Sequence, residues 1–146
     1  MENVFEYFAS CNYDKVIELG EKLIDSSVLN NYYVLVSLVI KDDIYRALSF
    51  INRSKIIKEN LCYLEEGGTN YTTIATLSKD EDKIEIAMLL FMCNFINSIF
   101  KEMMINKEKE DHYYFIRFNE MIDDLYCANC SKDLLSELTN ISRLLF

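Results

Sequence analysis

The stretch from Ile84 to Phe100 constrains this chain most. Between Ile86 and Cys93 it is apolar on nearly every face of a 3.6-residue period, and a helix that is apolar all round is a buried one. In a chain of 146 residues, such a helix is buried only if other helices wrap it. Ser78, with Glu81 three residues on, has the form of a capping box, predicting a helix from about Lys79 to Met104. Shortly before it, Leu64-Glu65-Glu66-Gly67-Gly68 holds two of the three glycines and reads as a turn with positive φ.

The rest of the chain carries the same helical period, uninterrupted by proline. Val4, Phe5 and Phe8 begin an apolar stripe, and Val16, Leu19 and Leu23 continue it, with Asn12 as a cap between. Asp25-Ser26-Ser27 reads as a stop and a new cap. Leu29, Tyr32, Tyr33, Val36, Val39 and Ile40 form the next face; its β-branched residues would suit a strand, but no turn signals or partner strands accompany them. Asp42-Asp43 ends that helix and caps one carrying Ile44, Ala47, Leu48 and Ile51. Ser54 caps a short segment with Ile57, Leu61 and Leu64. Tyr71, Ile74 and Leu77 make about two turns before the central helix. After a charged connector, Asn106 to Asp111, come a helix with Tyr114, Phe115, Phe118, Ile122 and Leu125 inward and a last one capped by Ser131, with Leu134, Leu135, Leu138, Ile141 and Leu145 inward. The reading is all-α: a single domain over 1–146, with about seven or eight helices around a buried central one.

A net charge of −9 disfavours nucleic acid, which wants a basic face, and docking on an anionic membrane. The N-terminus has no secretory pattern. The longest apolar run, Ile86 to Cys93, is too short to span a bilayer, so no membrane insertion is expected. Five cysteines without a signal read as reduced thiols in a cytosol. Cys127-x-x-Cys130 lacks the second pair that a zinc site needs and the βαβ setting of a redox pair. His112 beside Asp111 has neither a nucleophile elbow nor a metal partner, so it reads as a surface histidine. The acidic run Asp80-Glu81-Asp82 suits the first turn of a helix. Gly20 stands alone, so there is no phosphate loop. These residues predict no enzyme, no metal and no cofactor, and a protein that works through its surfaces.

Taken in order, Lys41-Asp42-Asp43, Leu64-Glu65-Glu66-Gly67, Tyr71 and the buried helix with Met92-Cys93 resemble the poxvirus Bcl-2-like virulence proteins. Arg117-Phe118 through Leu125 and Leu134 to Leu138 resemble that family's closing helices, and the likeness runs from about Tyr32 to Leu138. The family's tryptophans are absent, and Phe100 stands in one such place. The resemblance implies a Bcl-2-like bundle in the host cytoplasm that inhibits innate signalling to NF-κB or interferon genes by binding a host adaptor or kinase, often as a homodimer. A second branch blocks apoptosis by holding the death helix of a pro-apoptotic host protein in a groove. The Glu66-Gly67 turn is closer to the signalling branch, and the Asn-Trp-Gly-Arg run of the anti-apoptotic fold is missing. The family's use of the first and closing helices points to Tyr7, Tyr13, Tyr113 and Tyr126 as partner-binding residues, aromatics at a rim being apt anchors.

A rival reading is a helical-hairpin repeat scaffold. Met1–Ile24 and Tyr32–Lys55 superpose at an offset of 31 residues, with Val4, Tyr7 and Phe8 on Leu35, Leu38 and Val39. That offset lies near the tetratricopeptide period of about 34 residues. The Trp, Gly and Pro positions of that repeat are missing and no third copy is visible, which ranks this reading below the first.

Overall fold

The computed structural model describes residues 3–61, 71–105 and 113–146. The Leu64–Gly68 turn, Cys62, the Asn106–Asp111 connector and His112 lie outside the described residues. Within them the chain is all-helical. Nine α-helices follow one another: α1 (Val4–Ala9), α2 (Tyr13–Lys22), α3 (Val28–Ile40), α4 (Ile44–Arg53), α5 (Lys55–Asn60), α6 (Tyr71–Ser78), α7 (Ile84–Ile105), α8 (Tyr113–Cys127) and α9 (Lys132–Leu145). Nine helices stand against the expected seven or eight, and Ser54 both ends α4 and caps α5, as its place in the sequence suggests.

Side-chain caps set most helix starts. Asn3, Asn12, Ser27, Asp43, Ser54 and Ser131 each accept a backbone N–H three residues on. Each satisfies a donor the first turn leaves orphaned. The capping box expected at Ser78 is not there. Ser78 is the last residue of α6; its hydroxyl donates to Ala75 O at 2.6 Å and accepts from Ser131 N at 2.9 Å. Asp80 caps instead, opening a 3-10 turn over Glu81–Lys83 that leads into α7. The serine is drawn into a tertiary link between α6 and the start of α9, which local spacing does not encode.

The central helix is as expected. Every residue from Ala87 to Cys93 is buried in α7. Phe91 and Phe95 meet Phe118 of α8 edge-on, with ring centroids 5.1 and 5.0 Å apart, the arrangement ring quadrupoles favour. With its 3-10 turn, Glu81–Ile105 is long and apolar enough by length and composition to cross a membrane, contrary to the estimate from its longest apolar run; more than half of its apolar window is buried against other helices. Phe115, expected inward, is exposed and rings with Phe146 at 5.4 Å. Met121 takes the inward place on α8.

The first four helices are two copies of one hairpin. Helices α2 and α4 start and end 31 residues apart, and so do their caps, Asn12 and Asp43. The turns match bond for bond. Ser10, Cys11 and Asn12 donate to Glu6, Phe8 and Tyr7 carbonyls, and Lys41, Asp42 and Asp43 donate to Ser37, Val39 and Leu38. Cys11 and Asp42 take left-handed φ of 60° and 57°. This is the Schellman closure of a helix end, and its last residue already caps the next helix. The closure recurs between α8 and α9: Ala128, Asn129 and Cys130 donate to Asp124, Tyr126 and Leu125, with Asn129 at φ 62°. There the cap, Ser131, comes one residue later. The α8–α9 hairpin thus shares the turn, shifted by that residue.

Packing repeats along with the turns. Helix α3 packs on both α1 and α2, and α7 packs in the same way on both α3 and α4. Tyr45, just beyond α3's end, rings with Phe100 in the second half of α7, and α3 and α7 pack along one another. Gly20 permits the tightest approach: a Cβ there would overlap Val34 Cγ2 of α3. Between the hairpins, the Asp25 carboxylate accepts from Ser54 Oγ (2.7 Å), Lys55 N (2.9 Å), Ile56 N (3.1 Å) and Asn31 Nδ2 (3.1 Å). It binds the α2–α3 loop to the start of α5.

Candidate functional site

Where the first hairpin meets α3, aromatic rings come to the surface. Phe8 of α1 lies 4.6 Å from Tyr33 of α3 and 5.9 Å from Tyr13 of α2, measured between ring centroids. Phe5, one turn earlier on α1, lies 6.1 Å from Tyr33. The i, i+3 spacing of Phe5 and Phe8 sets both on one face of α1. The repeat makes this face unusual. Phe5 occupies the place of Val36 in the second copy; Val36 is fully buried, while Phe5 is 59% exposed. An open cavity of about 320 Å³ lies beside Phe5 and Tyr33, with Leu23, Leu29 and Asn30 among its lining.

Tyr33 also feels two carboxylates. Burial raises its pKa, and the carboxylates of Glu137 on α9 and Glu85 on α7 raise it further. Tyr32 beside it is fully buried, and its pKa stands well above the ordinary phenol value through burial, then Glu137 and Tyr33. Among the described residues neither Glu85 nor Glu137 has an ion-pair partner. By contrast, the charged depression between α2 and α4, about 570 Å³, is satisfied internally. There Glu21 takes both Arg46 nitrogens at 2.9 Å and Arg53 at 3.6 Å.

The four tyrosines expected at an interface fall into two places. Tyr13 is half-buried and belongs to the α1–α2–α3 cluster; its pKa is pushed up to about 12 by burial and by Cys11. Tyr7 is half-buried on α1. Tyr113 and Tyr126 are on α8, the first half-buried with its ring 6.4 Å from Tyr114, the second 69% exposed. None of the four is fully buried. Phe5, Phe8 and Tyr33 were missed as site residues. The signal for Phe5 was present: the 31-residue alignment sets an aromatic opposite a valine at a position that the second copy buries.

Among the described residues, two of the four cysteines are held as thiols by burial. Cys11, Cys93, Cys127 and Cys130 are free. Burial pushes the Cys93 thiol up to about 12 and also raises Cys130, the reverse of an activated thiol. Among the described residues no three of His, Cys, Asp and Glu gather where they could hold a metal ion. Among the described residues, the arrangement offers a surface with exposed and half-buried rings, a groove, and carboxylates without an ion-pair partner. No protein-family model, curated protein or solved structure matches the chain.

Proposed function

We propose that this protein is a non-catalytic interaction scaffold of the helical-hairpin repeat type, binding a partner protein through the aromatic face of α1, α2 and α3. One observation carries the reading. Phe5 stands exposed at the position whose counterpart, Val36, the second hairpin buries completely. In stacked hairpins each unit buries the face of its neighbour, so an uncovered aromatic at a repeat position is a contact awaiting a partner. An exposed aromatic ring of this kind is among the residues that dominate binding energy.

The test is affinity capture of tagged protein from cells, quantified for the natural chain, Phe5→Ser and Tyr126→Ser. The scaffold reading expects Phe5→Ser to lose its partners and Tyr126→Ser to keep them. Capture indifferent to Phe5→Ser defeats it.

A second reading, a viral antagonist of innate signalling with a Bcl-2-like arrangement, is supported by α7, whose Ala87–Cys93 segment is buried on every side as such a bundle implies. In it the partner is a host adaptor or kinase in the cytoplasm. A signalling reporter run beside a cell-death assay separates its branches. Suppressed reporter output with normal death supports signalling inhibition; protection from death supports the groove-binding branch; activity in neither removes the reading.

A further inference from the structure

The two most exposed tyrosines share a local sequence that the fold does not require. Of the nine described tyrosines, seven are buried or half-buried, while Tyr45 and Tyr126 stand 64% and 69% exposed. The chain has two Asp-Asp pairs, and each leads through one aliphatic residue to one of these tyrosines: Asp42-Asp43-Ile44-Tyr45 and Asp123-Asp124-Leu125-Tyr126. Burial follows the same order. Ile44 and Leu125 are buried in the core, and the tyrosine after each stands at the surface. The hairpin repeat does not account for the likeness, because Tyr45 is the second residue of α4 and Tyr126 the last but one of α8. Helix stability does not account for it either. Asp43 caps α4, accepting from Arg46 N at 3.1 Å. Asp123 and Asp124, by contrast, stand near the C-terminus of α8, where the helix dipole disfavours negative charge. Neither has an ion-pair partner among the described residues.

We propose that Tyr45 and Tyr126 are phosphorylation sites for a protein tyrosine kinase with a basic substrate cleft. The kinase transfers the γ-phosphoryl group of a nucleoside triphosphate. A bond forms from the phenol oxygen to phosphorus, the bridging P–O bond to the leaving nucleoside diphosphate breaks, and the phenol proton passes to the kinase's catalytic aspartate. Charge pattern is one way in which kinases select substrates, and the two carboxylates before each tyrosine supply one. The placement suits the reaction as well. A kinase takes its substrate in extended form, and helix ends open at far lower cost than helix middles. Neither tyrosine belongs to the ring cluster around Phe5, so the proposal stands apart from the scaffold reading.

The test incubates the full chain with magnesium, ATP and the catalytic domain of a cytoplasmic tyrosine kinase that phosphorylates the acidic copolymer of glutamate and tyrosine. Peptide mass spectrometry follows each tyrosine over time. Initial rates at Tyr45 and Tyr126 should exceed those at every other tyrosine by at least about tenfold. Tyr45→Phe with Tyr126→Phe should lose nearly all incorporation. Asp123→Asn with Asp124→Asn relieves charge at the end of α8 and should keep or raise the unfolding temperature. It should slow Tyr126 by about tenfold and leave Tyr45 within about twofold. An unchanged rate at Tyr126 in that variant, equal labelling of the half-buried tyrosines, or no labelling while the copolymer is phosphorylated overturns the proposal.

Discussion

Gly20 and Asp25 show how much single residues do at the hairpin junction. Gly20 looks idle in the sequence: one glycine inside a helix costs stability relative to alanine. Its use is visible only when α3 is laid against α2, because a methyl group there would overlap Val34. Gly20→Ala should therefore destabilise by about 1–3 kcal/mol despite its better helix propensity, and Gly20→Ala with Val34→Ala should recover part of that loss; thermal unfolding of the three proteins checks it. Asp25 was legible as a stop signal but not as the cap of a helix thirty residues on. Burial raises its pKa, but hydrogen bonds from Lys55 N, Ser54, Ile56 N and Asn31 outweigh this and hold the carboxyl below its usual value. A lowered folded-state pKa stabilises fully above the unfolded value of about 3.9 and loses that contribution as pH falls through the folded one. Asp25→Ala should cost about 1–3 kcal/mol at neutral pH, and the gap from the natural chain should close as pH falls. Urea midpoints from about pH 7 to about pH 2 give the answer.

At the scale of elements, turns and the central helix carry the argument. The helix order, five caps and the burial of α7 were readable because capping and 3.6-residue periodicity are local. Ser78 misled because a short-range pattern was overridden by Ser131, far along the chain. Phe115 misled because its ring packs edge-on against Phe146 at the end of α9, a contact far along the chain that leaves both rings exposed. The hairpin repeat was visible as an offset, and its third turn was hidden by the extra residue before Ser131. That turn geometry predicts its own mutants. Cys11 holds a left-handed backbone at φ 60°, which costs a non-glycine residue about 1–2 kcal/mol. Cys11→Gly should hold or raise stability, whereas Cys11→Val should lower it by at least about 1 kcal/mol; chemical denaturation distinguishes them. In the central helix, Leu90 is fully buried. Leu90→Ala should cost about 2–5 kcal/mol, and a loss below about 1 kcal/mol would mean that α7 is not the enclosed core element described here.

For the molecule as a whole, two copied hairpins are followed by α7, which packs on α3 and α4 and extends their stacking, and by an α8–α9 pair whose last helix packs on α3 and α7. The motifs in the sequence lead to the expectation of a protein without catalytic chemistry, and they do not say which surface such a protein offers, since a ring's exposure depends on what packs over it. The central claim is that a partner engages the face around Phe5. Its most direct measurement is photo-crosslinking in cells, with a photoreactive phenylalanine at Phe5 in one protein and at Tyr45 in another. Tyr45 is equally accessible, at 64% exposure against 59% for Phe5, but lies on α4 beside Phe100. The account predicts a discrete crosslinked partner from the Phe5 position and none of comparable yield from Tyr45. A partner crosslinked from Tyr45 but not from Phe5 would contradict it.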